Sequence, residues 1–544
     1  MDPGPLNPGA AGFRGRCDGQ RRGIRRGLAA ALCEACAADF GEASSTSYGD
    51  EVRYFFSKGM PLCLGSMMNY GVPPIVAMAL AGHTDVRQSA HLQASFGYAR
   101  LWYNCTSQMP TSALVAYFMS AVPGCIGAQR ADRIPRYLQR SILQSFVIMI
   151  PFYLLQFASG SLLESLGVKH SNATDVATYS RLMIVTAILN MVNTHLAALM
   201  NNLGHVKSTM LIALLTGLGI DATMNYFLVF KWGCGMQGAA AARICVQLGQ
   251  FFLLLLTMAR LRLLRKSFVA PPAAEALFSR HELREYLSMG APTLLTYLCG
   301  WLVFELQILA MTNIEGISDA ALAAGSLWIQ CESAMASAQQ GWIQSTSMRS
   351  LELLGKQDPG ARNAFWVFHN LSAITFVAFN VVLVSTAACV SQLLSNDGSV
   401  RYWLHQILWI LALHTQTRIT SLITMIFYVP LGKGMLRTLI TFVTFYCVAV
   451  PAVGIVALSD FLTTSETLKL GAVVAGTSLA QGLQCVLNVV YLCRLDWSEA
   501  ARLVNARANL DKRRPSPREG AAAGGAVAEA EGTSLALAGG ADAS

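Results

Sequence analysis

The residues with chemistry to offer lie inside long apolar runs. Glu305 follows Gly300-Trp-Leu-Val-Phe304, about nineteen residues into one such run. An ionisable group at mid-membrane costs roughly 3 kcal/mol on insertion scales, so one that persists faces a wet cavity or a partner. A carboxylate in that position can take up and release a proton, or serve in a structural ion pair. Asp221 and Asn225 are four residues apart, which puts them on one helix face. They can form a second protonation site, a sodium site, or a structural hydrogen bond. Arg418 brings a cation into another apolar run. Three placements are open to it: paired with Glu305, facing a cavity where it favours an anionic solute, or near a helix end with its head reaching for the interface.

These groups need a scaffold, and composition says what kind. Of 544 residues 53% are hydrophobic and 13% charged, about half the charge of a soluble domain. Much of the surface must therefore face hydrocarbon. Twelve apolar segments begin near residues 60, 95, 137, 178, 206 and 236, then 286, 320, 364, 402, 436 and 467. In lipid each must be a helix, because every backbone N–H and C=O has to be paired within its own segment. The even-numbered connections hold sixteen Lys and Arg, the odd-numbered ones five. That asymmetry places both chain ends on the cytosolic side. The sequon Asn172-Ala-Thr174 falls in an odd-numbered connection, in agreement. The basic tails favour retention at an anionic membrane face over nucleic acid binding. The expected organisation is a disordered basic tail over 1–55, a six-helix lobe over 56–260, a cytosolic linker over 261–285, a second six-helix lobe over 286–495 and a disordered tail over 496–544. Such a protein is integral and multi-pass, in the plasma membrane or an organelle membrane, and is expected to be monomeric.

The halves are related. Gly127-Ala-Gln129 follows the second segment and Gly355-Lys-Gln357 the eighth, 228 residues apart. An even number of spans per half gives both halves one orientation and a symmetry axis along the membrane normal. Two such lobes leave a V-shaped central cavity.

With these marks in order the chain resembles the MATE family (multidrug and toxic compound extrusion) of the MOP flippase superfamily. Ala81-Gly-His83, Gly127-Ala-Gln129 with Leu138-Gln-Arg-Ser141, Asn201-Asn-Leu-Gly204, Gly238-Ala-Ala-Ala241, Gly290-Ala-Pro292 and Phe304-Glu305 carry the resemblance over residues 60 to 490. It implies export of organic solutes, drugs or organic cations among them, in exchange for protons or sodium ions, with no cofactor beyond the coupling ion. It also implies that Glu305 is an acidic coupling residue of the second lobe. The departures are specific. Gly300 and Gln330 stand where the family often has acids, and Arg418 replaces a third. Asn69 is present in the first helix, but no carboxylate. The acidic network is reduced to Glu305, with Glu332 as its companion.

Other motifs lead nowhere. Gly233-Cys-Gly235-Met-Gln-Gly238 lacks the strand a dinucleotide site needs. His170-Ser-Asn-Ala-Thr-Asp175 spells an acyltransferase pattern without the acids and histidines a membrane-embedded transferase would cluster. Cys33 and Cys36 lack the further ligands of a zinc site. No Walker A sequence supports ATP-driven pumping. The alternative transport reading is a lipid-linked precursor flippase, which requires further arginines beside Arg418 in the cavity.

Overall fold

The computed structural model describes residues 47–82, 95–96, 98–165, 170–264, 280–312, 318–395, 397–458 and 466–509. Every regular element among them is a helix. The first half contains α1 (48–82), α2 (Tyr98–Gly127), α3 (Ala131–Phe157), α4 (His170–Asn202), α5 (Val206–Lys231) and α6 (Gly235–Arg260). The second contains α7 (Arg280–Thr312), α8 (Asp319–Gly355), α9 (Ala361–Ser385), α10 (Gly398–Thr424), α11 (434–458) and α12 (Glu466–Cys493), and is followed by α13 (Trp497–Ala508).

Nine of these helices are long and apolar enough to cross a membrane. α8 is outside that set for a physical reason: it is an interior helix. α8 buries Ser333, Ser337, Gln339, Gln344, Ser345, Thr346 and Ser350. Polar groups at that depth are tolerated where they face protein or a wet cavity. Leu154 and Phe157 on α3, and Ile374, Val381 and Val382 on α9, are exposed and form lipid-facing walls.

The duplication is present in the backbone. Gln129 and Gln357, 228 residues apart, both take φ 58° where α2 and α8 end. Gly204 and Gly432 have the same separation and both have positive φ, at the turns into α5 and α11. The π-helical segments Leu215–Asp221 and Val443–Ala449 share that offset as well. Within the lobes α4 packs on α6 as α10 packs on α12, and across them α8 packs on α1 and α2.

The lobes meet closely at the end where α1 begins and α13 lies. A Cβ on Gly127 would collide with the Glu352 carbonyl, and one on Gly355 would lie 2.5 Å from the Gly124 carbonyl oxygen. Only glycine allows two backbones to approach so closely. Beside this crossing the Arg349 guanidinium grips the buried Glu51 carboxylate through Nε (2.9 Å and 3.1 Å) and Nη2. Three sequence expectations change. α1 begins at Tyr48, inside the stretch expected as tail, because Glu51 has a partner in the other lobe. Residues 497–508 are helical because Ala500, Ala501, Val504 and Ala508 form a buried face. Asn172 lies in the first turn of α4 instead of a loop. Residues 1–46, 265–279 and 510–544, which include Cys33 and Cys36, lie outside the described residues.

Candidate functional site

A cavity of about 210 Å³ lies between the lobes, walled by α1, α2, α7, α8, α10, α11 and α12. Among the described residues its charged lining consists of Arg418 and Arg437, and no carboxylate reaches its surface. Tyr70, Trp301, Phe304 and Phe445 add aromatic faces, and Gln108, Gln340, Gln344, Gln481 and Gln484 add amides.

Arg418 is held from behind. His414 and Arg418 are one turn apart on α10 and so share a face, and α8 presents Glu332 to that face. The Arg418 Nη1 forms an ion pair with Glu332 Oε1, and His414 Nε2 is 3.6 Å from the same oxygen. Glu332 and His414 are fully buried, whereas Arg418 keeps 12% of its side chain exposed toward the cavity. Ser478 of α12 is 3.2 Å from His414 Nδ1. The Phe304 ring lies 5.7 Å from the Arg418 guanidinium and meets the His414 ring edge-on. The partner of Arg418 is therefore Glu332, on α8. Of the three placements open in the sequence, it combines pairing and cavity exposure. The backbone of Glu305 belongs to α7, next to Phe304; its side chain lies outside the described residues.

Arg437 was read from the sequence as a loop charge. It lies in the first turn of α11, nearly buried, with its guanidinium 5.5 Å above the Tyr297 ring. That geometry gives a cation–π contact but no counter-charge. Because the turn before α11 is short, the arginine enters the bundle at once.

The remaining candidates form a separate group in the first lobe. The Asn225 amide donates to Asp221 Oδ2 at 3.1 Å and to the Asp221 carbonyl at 3.0 Å. Arg243 of α6 stands 3.6 Å from Asp221 Oδ1 and donates to the Asn69 carbonyl at 2.8 Å. Asn69 thus contributes its backbone to this group. Gln330 reaches from α8 into the same small void, about 50 Å³, along with Arg100. Six of the seven predicted residues thus divide between two places, Arg418 and Glu332 in one and Asp221, Asn225, Asn69 and Gln330 in the other. The sequence reading missed Arg437, His414 and the role of Arg243; for His414 the four-residue spacing from Arg418 was the available signal. His195 is a satisfied packing residue, bonded to Ser141 (2.9 Å) and to the Met191 carbonyl (2.8 Å).

Two duplicated helical lobes around a central cavity of mixed aromatic and polar lining define a class: polytopic membrane proteins with the architecture of secondary transporters. Within that class the MatE family model matches residues 106–227. The structure is similar to that of the eukaryotic MATE transporter AtDTX14, with a TM-score of 0.74 and 16% identity, covering 85% of this chain and 99% of that one. It is also similar to the Vibrio cholerae MATE transporter VcmN, at 0.67 and 15%, covering 84% and 99%. A third is a MOP superfamily transporter from Pyrococcus furiosus, at 0.67 and 16%, covering 84% and 96%, for which a reversed binding-pocket polarity and a different function are described. No curated protein sequence matches the chain. The fold is that of MATE transporters, and the resemblance read from the sequence is met both by the family model and by the fold.

Proposed function

We propose that the protein is a MATE-type secondary transporter whose central cavity carries a compact organic anion as the lobes rock between two openings. The observation that carries this reading is the pair Arg418 and Arg437, the charged groups of the cavity wall among the described residues. Glu332 offsets the first from behind, and the second lies over the Tyr297 ring with no ion pair among the described residues. A solute cation 4 Å from Arg437 would meet a repulsion of about 4 kcal/mol at an effective dielectric of 20, and an anion would gain as much. Organic cations and cationic drugs are the weaker choice for that reason. The aromatic faces suit an apolar body on the solute, and the glutamine amides suit its oxygens. A basic cavity also fits a lipid-linked precursor, but about 210 Å³ is below the ~300–1,000 Å³ of pockets that enclose drug-sized molecules. Protons are a better coupling ion than sodium, since Glu332 is already committed to a guanidinium and offers no set of free oxygens for a hard cation. The charge asymmetry of the connections supports cytosolic chain ends. No covalent step is involved.

The test is flux into proteoliposomes of paired aromatic solutes, sulfonates against quaternary ammonium ions of similar size. Sulfonates should be transported. Arg437→Gln should weaken them about 10- to 100-fold, the worth of one charge-assisted hydrogen bond, and Arg437→Glu should reverse the preference. Transport of the ammonium series with the sulfonates excluded would overturn the reading.

A further inference from the structure

The arrangement behind Arg418 fixes the sign of ion coupling. In an antiporter built on a lone carboxylate, a proton and a solute cation compete for the same oxygens. Here the cavity-facing group is a cation, and its counter-ion is behind it, out of contact with the cavity. Glu332 is 1% exposed, and Arg418 is its charge partner. An anion that enters the cavity and engages the exposed side of Arg418 places two negative charges around that guanidinium, where burial of Glu332 leaves their repulsion weakly screened. Adding a proton to that site relieves the excess.

We infer that a proton and a solute anion bind this site together, each strengthening the other, so that they move in the same direction. This rests on the anionic reading above and is opposite in sign to the antiport that the family resemblance implies. The proton has two places to go. One is Glu332; the other is His414 Nε2, 3.6 Å from the Glu332 oxygen and without a hydrogen-bond partner among the described residues. Ser478 at 3.2 Å from Nδ1 steadies the ring. Both choices leave the cluster with the same net charge. The groups that face it from other helices do not change the sign. From α11 comes Arg437 over Tyr297 of α7, a cation that favours the anion and lies at the cavity wall. From α7 comes Phe304, an uncharged ring against both Arg418 and His414. Solute binding is thus linked to proton uptake by the same charge balance that keeps a buried ion pair from losing one partner.

The experiment uses the full-length protein in proteoliposomes and an aromatic sulfonate, whose charge is fixed over the working pH range, so that any pH effect belongs to the protein. Acid outside should accelerate sulfonate uptake and tighten its apparent affinity by up to about tenfold per pH unit, the limit for one linked proton. A pH dye should report external alkalinisation that begins with sulfonate addition. Glu332→Gln should bring the ratio of acid to alkaline uptake close to one, whatever its absolute rate. The wild-type measurements stand alone if that variant fails to fold. Sulfonate uptake driven by an alkaline exterior, or indifferent to pH, overturns the inference and leaves the anionic reading intact. Exclusion of sulfonates with transport of ammonium ions overturns the anionic reading itself.

Discussion

Arg418 and Glu332 form an unequal pair, and the inequality is measurable. Removing one member of a buried ion pair strands the other, at about 3–5 kcal/mol when the stranded charge is dry. Glu332 is 1% exposed and Arg418 12%, so only the arginine has water to fall back on. Arg418→Gln should therefore lower the thermal midpoint in detergent more than Glu332→Gln, and the double variant should recover part of the loss. A larger loss from Glu332→Gln would show that the arginine is the drier partner. Repeat geometry adds a second point. Glu332 and His414 correspond, 228 residues earlier, to Asn104 and Thr186, and Arg418 and Arg437 to Asn190 and Thr209. Both halves keep polar groups at these depths, but only the second is charged. The first lobe has its own pair, Asp221 with Arg243, at a different height.

Among the elements, α13 does a task its length does not suggest. Its polar atoms reach both lobes. Arg133 of the first lobe donates to the Ala508 carbonyl at 2.8 Å, Asn505 donates to the Gly355 carbonyl at 2.7 Å, and Arg507 donates to the Pro430 carbonyl. Val504 touches the α2 backbone near Gly124. The helix is a strap across the end where α1 begins. Its start is capped by Asp496, which accepts from the Ser498 and Glu499 N–H groups. The hydrogen bond from Ser498, then those from the backbone, hold this carboxyl below its usual range. A depressed pKa in the folded state means that the cap is present at neutral pH and is lost as the pH falls through that lowered value, below the ordinary ~3.9 of aspartate. Asp496→Ala should loosen α13 at neutral pH as acid does in the wild type, seen as faster amide exchange confined to 497–508. Unchanged exchange would mean that packing of Trp497 and Val504 alone secures it.

For the whole molecule, the proposed rocking of the lobes requires the glycine crossing of α2 and α8 to part. Cys125, 2% exposed, lies in α2 beside that crossing and is a built-in reporter. Gly355→Ala forces a Cβ toward the Gly124 carbonyl, so maleimide labelling of Cys125, mapped by peptide mass, should rise several-fold while distant buried Cys331 stays protected. The Arg349–Glu51 pair spans the same gap between α8 and α1, and Arg349→Gln should act in the same direction. Equal labelling of both cysteines would indicate general loosening in place of lobe separation.

The fold was legible because hydrocarbon leaves the chain few options. Apolar runs of spanning length must be helices, and the 228-residue echo of Gly127-Ala-Gln129 in Gly355-Lys-Gln357 gave the duplicated lobes, down to the left-handed glutamines. The ionisable residues in the spans could also be named, since charge in an apolar run stands out. Their partners could not. Whether Arg418 meets Glu305 or Glu332 depends on which helix crosses α10 at that height, a matter of rotation and tilt that one-dimensional spacing does not contain. Arg437 looked like a loop charge because a turn of one residue's difference decides between interface and interior. The polarity of the cavity, on which the proposed sign of the solute rests, came only from the way seven helices turn their faces toward one space.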